Sequence, residues 1–166
     1  MLMSSLLARR FAFSKPIINS FSCNRHCFFR TSSIASQLKL GDITCVDKNP
    51  VSQEEVRVFA ELTDDTNPIH LDPEFAKNTR FRKPIVHGAL AVSLISGVVS
   101  KTVPEGSIVL SAGFEFLAPL FVGDPYKVEV KVGEIEGRKV AFHVRNFIDD
   151  KTLVKGVFNV LVPKNK

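Results

Sequence analysis

The sequence predicts an α+β fold, an antiparallel sheet curled around one long buried helix, and three observations carry that prediction. From Ile85 to Val99 the chain is apolar on every side, with only His87, Ser93 and Ser96 as polar side chains. After Pro104, four β-rich segments follow one another, separated by the turn signals Gly123-Asp124, Glu136-Gly137 and Asp149-Asp150. Within the second of them, Tyr126, Val128, Val130 and Val132 alternate with Lys127, Glu129, Lys131 and Gly133. That period belongs to a sheet with one face on a core and one in water, and the short connections make it antiparallel.

The first segment has a different character. No Asp or Glu precedes Asp42, whereas Arg9, Arg10, Lys15, Arg25, Arg30 and Lys39 all do. Arg9-Arg10 interrupt the apolar run too early for a secretory signal, and an acid-free, Ser- and Arg-rich stretch has the composition of a mitochondrial transit peptide. The expected organisation is a leader over about 1–35 and one domain over 36–166, with the matrix as destination. The net charge of +5 comes from that leader. From Asp42 onward sixteen basic residues stand against 17 acids, a net of −1, so the body gives no reason to expect nucleic acid. Cys23 and Cys27 lie in the leader, which leaves Cys45 alone in the body, as suits a reducing compartment. Its place in the apolar run "DITCV" predicts a small buried hydrophobe.

The elements of the body follow in order. Residues 38–50 read as a short strand ending in a turn. Ser52 and Glu55 form a capping box for a helix over Gln53–Thr63, whose expected apolar stripe is Val56, Phe59, Ala60 and Leu62. Asp64 is expected to be exposed and to stop that helix. The loop "DDTNPIH" comes next, and then a short helix with Asp72 as cap and Pro73 at its first position. The apolar run is too short for a membrane span, which needs about 20 residues, so a helix buried in the core is expected. His143 shares a polar strand face with Arg145. No Cys-x-x-Cys or His-x-x-x-His spacing and no nucleotide or flavin motif occurs in the body, so neither a metal nor a cofactor is expected.

"FAELTDDTNPIHLDPEFA…FRKPIVHGAL" resembles the (R)-specific enoyl-thioester hydratases and 3-hydroxyacyl-thioester dehydratases of the MaoC-like group, which have the hotdog fold. Their signature, Asp-x-Asn-Pro-(Ile/Leu)-His followed by (Ile/Val)-Val-His-Gly, is present without gaps, and "FEFLAPLFVGDPYKVEVKV" is similar to their strand–turn–strand. The resemblance spans about Leu40 to Pro163. It implies that Asp65 and His70 form an acid–base pair, that Gly88 N–H is the oxyanion donor, and that Ser96, with Val99, belongs to substrate binding. Asn67 is assigned to orientation, Asp64 is a bystander, and His87 is read as structural.

The chemistry suits these residues. Dehydration takes a proton from the α-carbon and gives one to the leaving β-hydroxyl, and one base and one acid suffice. Ser93 is expected to bond back to its own helix. Arg80, Arg82 and Lys83 form a basic cluster that could meet coenzyme A phosphates or an acidic acyl carrier protein, although such runs are usually solvated. The leader tilts the expectation toward carrier-bound intermediates of mitochondrial fatty acid synthesis. A hotdog thioesterase and a non-catalytic acyl-thioester-binding module are the competing readings, and the intact signature argues against both. The family also implies a homodimer with substrate at the subunit interface.

Overall fold

The computed structural model describes residues 38–164; the expected leader over 1–35, with Cys23 and Cys27, lies outside the described residues. Within them the elements run β1 (Ile43–Lys48), α1 (Gln53–Thr63), α2 (Pro68–Leu71), α3 (Pro73–Lys77), α4 (Gly88–Thr102), β2 (Ile108–Phe116), β3 (Tyr126–Glu136), β4 (Lys139–Ile148) and β5 (Lys151–Leu161). The strands form one antiparallel sheet in the order β1-β3-β4-β5-β2. Two-residue connections join β3 to β4 and β4 to β5, and each needs a left-handed residue to match the strand twist. Gly137 (φ 59°) and Asp149 (φ 51°) supply it.

The alternation in β3 buries Tyr126, Val128, Val130 and Val132, and Phe142, Val144, Phe158 and Val160 extend that face across β4 and β5. Helix α4 lies against it through Ile95, Val98 and Val99. Burying side chains of this size stabilises by about 1.5–3 kcal/mol each, so the α4–sheet contact contributes substantially to stability. At Gly156 in β5, an added Cβ would run into the Gly113 carbonyl and the Phe114 ring, so glycine is required for β2 to close on β5 there.

Four sequence expectations are corrected. Helix α4 is not buried on every side: Ala89, Ser93, Gly97 and Ser100 are exposed. One sheet covers one side of a helix, and small side chains fill the other. Leu62 is 80% exposed, because it points about 120° away from Val56 at 100° per residue. Cys45 is exposed because its parity on the edge strand β1 is opposite to that of the partly covered Thr44 and Val46. His70 sits on a one-turn helix and not in an irregular loop, because Pro68 takes the first helical position, where its missing N–H costs nothing. No helix among the described residues is long and apolar enough to cross a membrane.

Candidate active site

Helix α1 begins as expected, with the Ser52–Glu55 capping box in place. It ends at Asp64, an exposed left-handed C-cap (φ 58°, ψ 16°). That residue reverses the chain and throws Asp65 off the helix axis. Asn67 Oδ1 accepts from Ile69 N–H (3.2 Å) and so caps α2. Gln53 Nε2 donates to the His70 carbonyl (2.9 Å), tying α2 back to the start of α1. Asp72 caps α3 by accepting from Glu74 and Phe75 N–H (2.8 and 3.2 Å).

The other wall of the site is the segment leading into α4. Val86 N–H donates to the Leu120 carbonyl (2.8 Å), and Ile85 bridges to Phe121, so the β2–β3 connection holds this segment extended. Helix α4 then starts at Gly88, with His87 as an N-cap that makes no side-chain cap bond. The N–H groups of the first turn therefore have no intrahelical acceptor and stay available to a ligand.

His70 is buried, and its Nδ1–H donates to the Ile85 carbonyl (2.8 Å). A carbonyl can only accept, so Nδ1 carries the proton and Nε2 is the bare nitrogen of the neutral ring. Burial pushes the His70 pKa down, and His87 adds to that, while the bond to Ile85 and the Asp65 carboxylate oppose it. His70 is thus biased toward its neutral form. Asp65, His70 and His87 each present a polar atom within 4.8 Å of the others. The Asp65 side chain is half exposed, and its Oδ2 stands 4.0 Å from His87 Nε2. Each imidazole gives one nitrogen to a backbone carbonyl, and the two rings stack on each other.

A cavity of about 290 Å³ opens beside this group, lined by His70, Arg80 and Gly88 together with apolar side chains that include Phe81, Phe116, Leu120 and Val154. The predicted site residues divide accordingly. His70, Gly88 and Arg80 line the cavity; Asp65 adjoins it through His70, and Asn67 acts on the backbone. Arg82 Nη1 lies 3.4 Å from the Lys77 carbonyl, and Lys83 pairs with Asp124 (2.9 Å). Ser96 is half-buried two turns along α4, and Val99 belongs to the core; neither lines the cavity. Ser93 bonds back to the Ala89 carbonyl, as expected. His143 is exposed opposite Glu134, and Arg145 is paired with Glu129 (3.0 Å).

Phe116 is among the lining residues that sequence reasoning missed. Its ring packs so close to Gly88 that a Cβ there would stand 2.9 Å from Cε1. Nothing in "FEFLAP" marks it, since strand alternation alone cannot say which phenylalanine meets a helix start. A larger hollow of about 450 Å³ lies over β2 and β5, but its only ionisable groups, Glu115 and Lys155, are bonded to each other (3.0 Å).

A stacked imidazole and a carboxylate beside a bare helix start, on an antiparallel sheet with one long helix, define a class. The chain belongs to the MaoC like domain family, whose model matches residues 41–151. It is 44% identical over 99 residues to an (R)-specific enoyl-CoA hydratase of Aeromonas caviae, covering 59% of this chain and 73% of that one. It is 35% identical over 127 residues to a 3-hydroxybutyryl-CoA dehydratase of Methylorubrum extorquens, covering 75% and 81%. With the mitochondrial 3-hydroxyacyl-[acyl-carrier-protein] dehydratase of Arabidopsis thaliana the identity is 36% over 95 residues, 56% of each chain. The solved (R)-hydratase of A. caviae involved in PHA biosynthesis has a TM-score of 0.72 and 38% identity, covering 76% of this chain and 98% of that one. The fold is accordingly the hotdog fold of these hydratases, and the chain is an enzyme of the hydro-lyase class.

Proposed function

We propose that the protein adds water to trans-2-enoyl thioesters, and removes it from (R)-3-hydroxyacyl thioesters, through Asp65 and His70. One observation carries the reading: the bare Nε2 of a neutral His70 lies within reach of a carboxylate, on a cavity whose opposite wall is an uncapped helix start at Gly88. In dehydration, the α-C–H bond breaks and its proton passes to His70 Nε2. Negative charge gathers on the thioester oxygen and is met by the Gly88 N–H and the positive end of α4. The C–O bond at the β-carbon then breaks, and the imidazolium returns the proton to the departing hydroxyl, leaving as water. Asp65 offsets the imidazolium charge in between. Hydration runs the same steps backward.

The acyl chain enters along the apolar lining, and Arg80 is the cation placed to meet the phosphates of coenzyme A or of a carrier protein's prosthetic arm. The acid-free leader and the mitochondrial dehydratase among the relatives support a matrix enzyme of fatty acid synthesis working on carrier-bound chains. A homodimer is supported by β2, an edge strand of the sheet, where Ile108, Val109, Leu110 and Phe116 are all exposed, and by the uncovered face of α4. Long apolar edges of this kind are normally paired.

The test is to mix purified protein with crotonyl-CoA and follow enoyl absorbance and free thiol together. Loss of absorbance without thiol is the expected result; thiol release would mean a thioesterase, and no change would mean a binding module. Turnover on matched CoA and carrier-protein thioesters distinguishes the carrier.

A further inference from the structure

His87 is 1% exposed, and it touches every part of the proposed machinery. Its Nε2–H donates to the backbone carbonyl of Asp65 (3.0 Å). Its ring stacks on that of His70, with centroids 3.8 Å apart and planes at 28°. Its own peptide leads into Gly88 as the N-cap of α4. We propose that His87 is a positioning residue for the reaction: one buried ring that fixes the Asp65 backbone, the His70 plane and the uncapped start of α4 relative to one another. The proposal rests on the assignment of Asp65 and His70 as the reacting pair.

Packing alone does not explain an imidazole here. Nδ1 of His87 is buried with no hydrogen-bond partner, a desolvation cost that a phenylalanine in the same contact with Phe59 (5.2 Å) would avoid. Capping does not explain it either. Ser, Thr, Asp and Asn are the favoured N-caps because their side chains accept from the N–H groups one or two residues beyond Gly88, and His87 makes no such bond. Histidine leaves those donors free and sends its own N–H to Asp65 instead.

The bond to the Asp65 carbonyl also selects the tautomer. Nε2 carries the proton given to Asp65, and Nδ1 faces the buried side. The charged and titratable groups facing the pair are few: the Asp65 carboxylate from the α1–α2 loop, and Arg80 across the cavity. Phe59 from α1 and the Ile85 carbonyl complete the surroundings.

Two substitutions separate the functions of the ring. His87→Phe keeps the stack and removes the donor; His87→Gln keeps a donor at the Nε2 position and removes the ring. The expected result for His87→Phe is a kcat about 100-fold lower with KM within about threefold, the scale of a misplacement of roughly 1 Å. Its acid limb should also move to higher pH, because His87 helps to lower the His70 pKa. His87→Gln should recover kcat to within about tenfold of wild type. Ring ¹⁵N shifts of the unmodified protein should report Nε2–H for His87 and Nδ1–H for His70.

Wild-type kcat and an unmoved limb in folded His87→Phe would overturn the proposal, as would the opposite His87 tautomer. If His87→Phe does not fold, folded His87→Gln decides: activity within tenfold supports the donor role, and activity as low as that of His70→Ala overturns it. Asp65→Asn and His70→Ala are measured alongside. If they retain turnover, the reacting pair itself is wrong; if they abolish it while His87→Phe is unaffected, only the role of His87 falls.

Discussion

Replacing Gly88 by alanine adds one methyl group at the point where the substrate carbonyl would meet α4. That Cβ would stand 2.9 Å from Phe116 Cε1 and 3.2 Å from Cζ. Both atoms are the far end of a side chain that is 59% exposed, so the ring can swing aside at little cost. Overpacking in a closed core costs about 1–3 kcal/mol, and this site falls below that range. Alanine meanwhile gains up to about 1 kcal/mol over glycine in a helix, less in its first turn. The two effects nearly cancel, so Tm should move by no more than about 4 °C. Activity should behave differently. The methyl group excludes the carbonyl from the Gly88 N–H, and a displacement of about 1 Å corresponds to roughly 100-fold in kcat, near 2.7 kcal/mol of transition-state stabilisation. Hydration of crotonyl-CoA, followed by loss of enoyl absorbance, measures the rate; calorimetry measures Tm. Wild-type activity in the folded variant would refute close approach at Gly88. Recovery of activity in the Gly88→Ala, Phe116→Ala pair would show that the ring, and not the carbonyl, suffered from the methyl group.

Further predictions concern charge and the loop. His70 has its pKa below the ordinary 6.5, so kcat/KM should fall on the acid side only as pH drops through that lowered value. The unfolded chain binds that proton more readily, so the stability contributed by His70 is present above pH 6.5 and is lost as pH falls toward the folded value. Asp65 helps to hold the His70 pKa up, so Asp65→Asn should lower it further in an NMR titration of the His70 ring. Arg80→Ala should raise KM roughly five- to tenfold by removing an exposed charge-assisted contact, whereas Lys83→Ala, which breaks a surface pair with Asp124, should leave KM unchanged. Asn67→Ala removes the α2 cap and should cost about 1 kcal/mol in chemical denaturation.

How far the sequence could be read depended on how local each cause was. Ser52–Glu55, Asp64, and Asp72-Pro73 act through bonds spanning two to four residues, and all three features stand where the sequence placed them. The strands after Pro104 were equally legible, because alternation and two-residue turns are local. Burial on the outer sides was not. Cys45 and Leu62 are apolar residues in apolar stretches, but an edge strand and a helix rim leave them exposed. The signature singled out Asp65, His70 and Gly88 as positions, and the fold gathers them beside one cavity. The choice of Arg80 over Arg82 and Lys83 depends on where α3 ends and on Asp124, 41 residues away from Lys83. The contact between Phe116 and Gly88 likewise forms only when β2 meets the start of α4, and the His70–His87 stack only when the β2–β3 connection holds residues 85–87 extended.

The central claim is that His70 carries the proton transfers while Asp65 offsets its charge, and the direct measurement is kcat on a trans-2-enoyl thioester for Asp65→Asn and His70→Ala, with folding checked by calorimetry. The account predicts that each folded variant loses about 10²–10⁴-fold in kcat, the usual contribution of a positioned acid or base. Wild-type turnover in either one would contradict it.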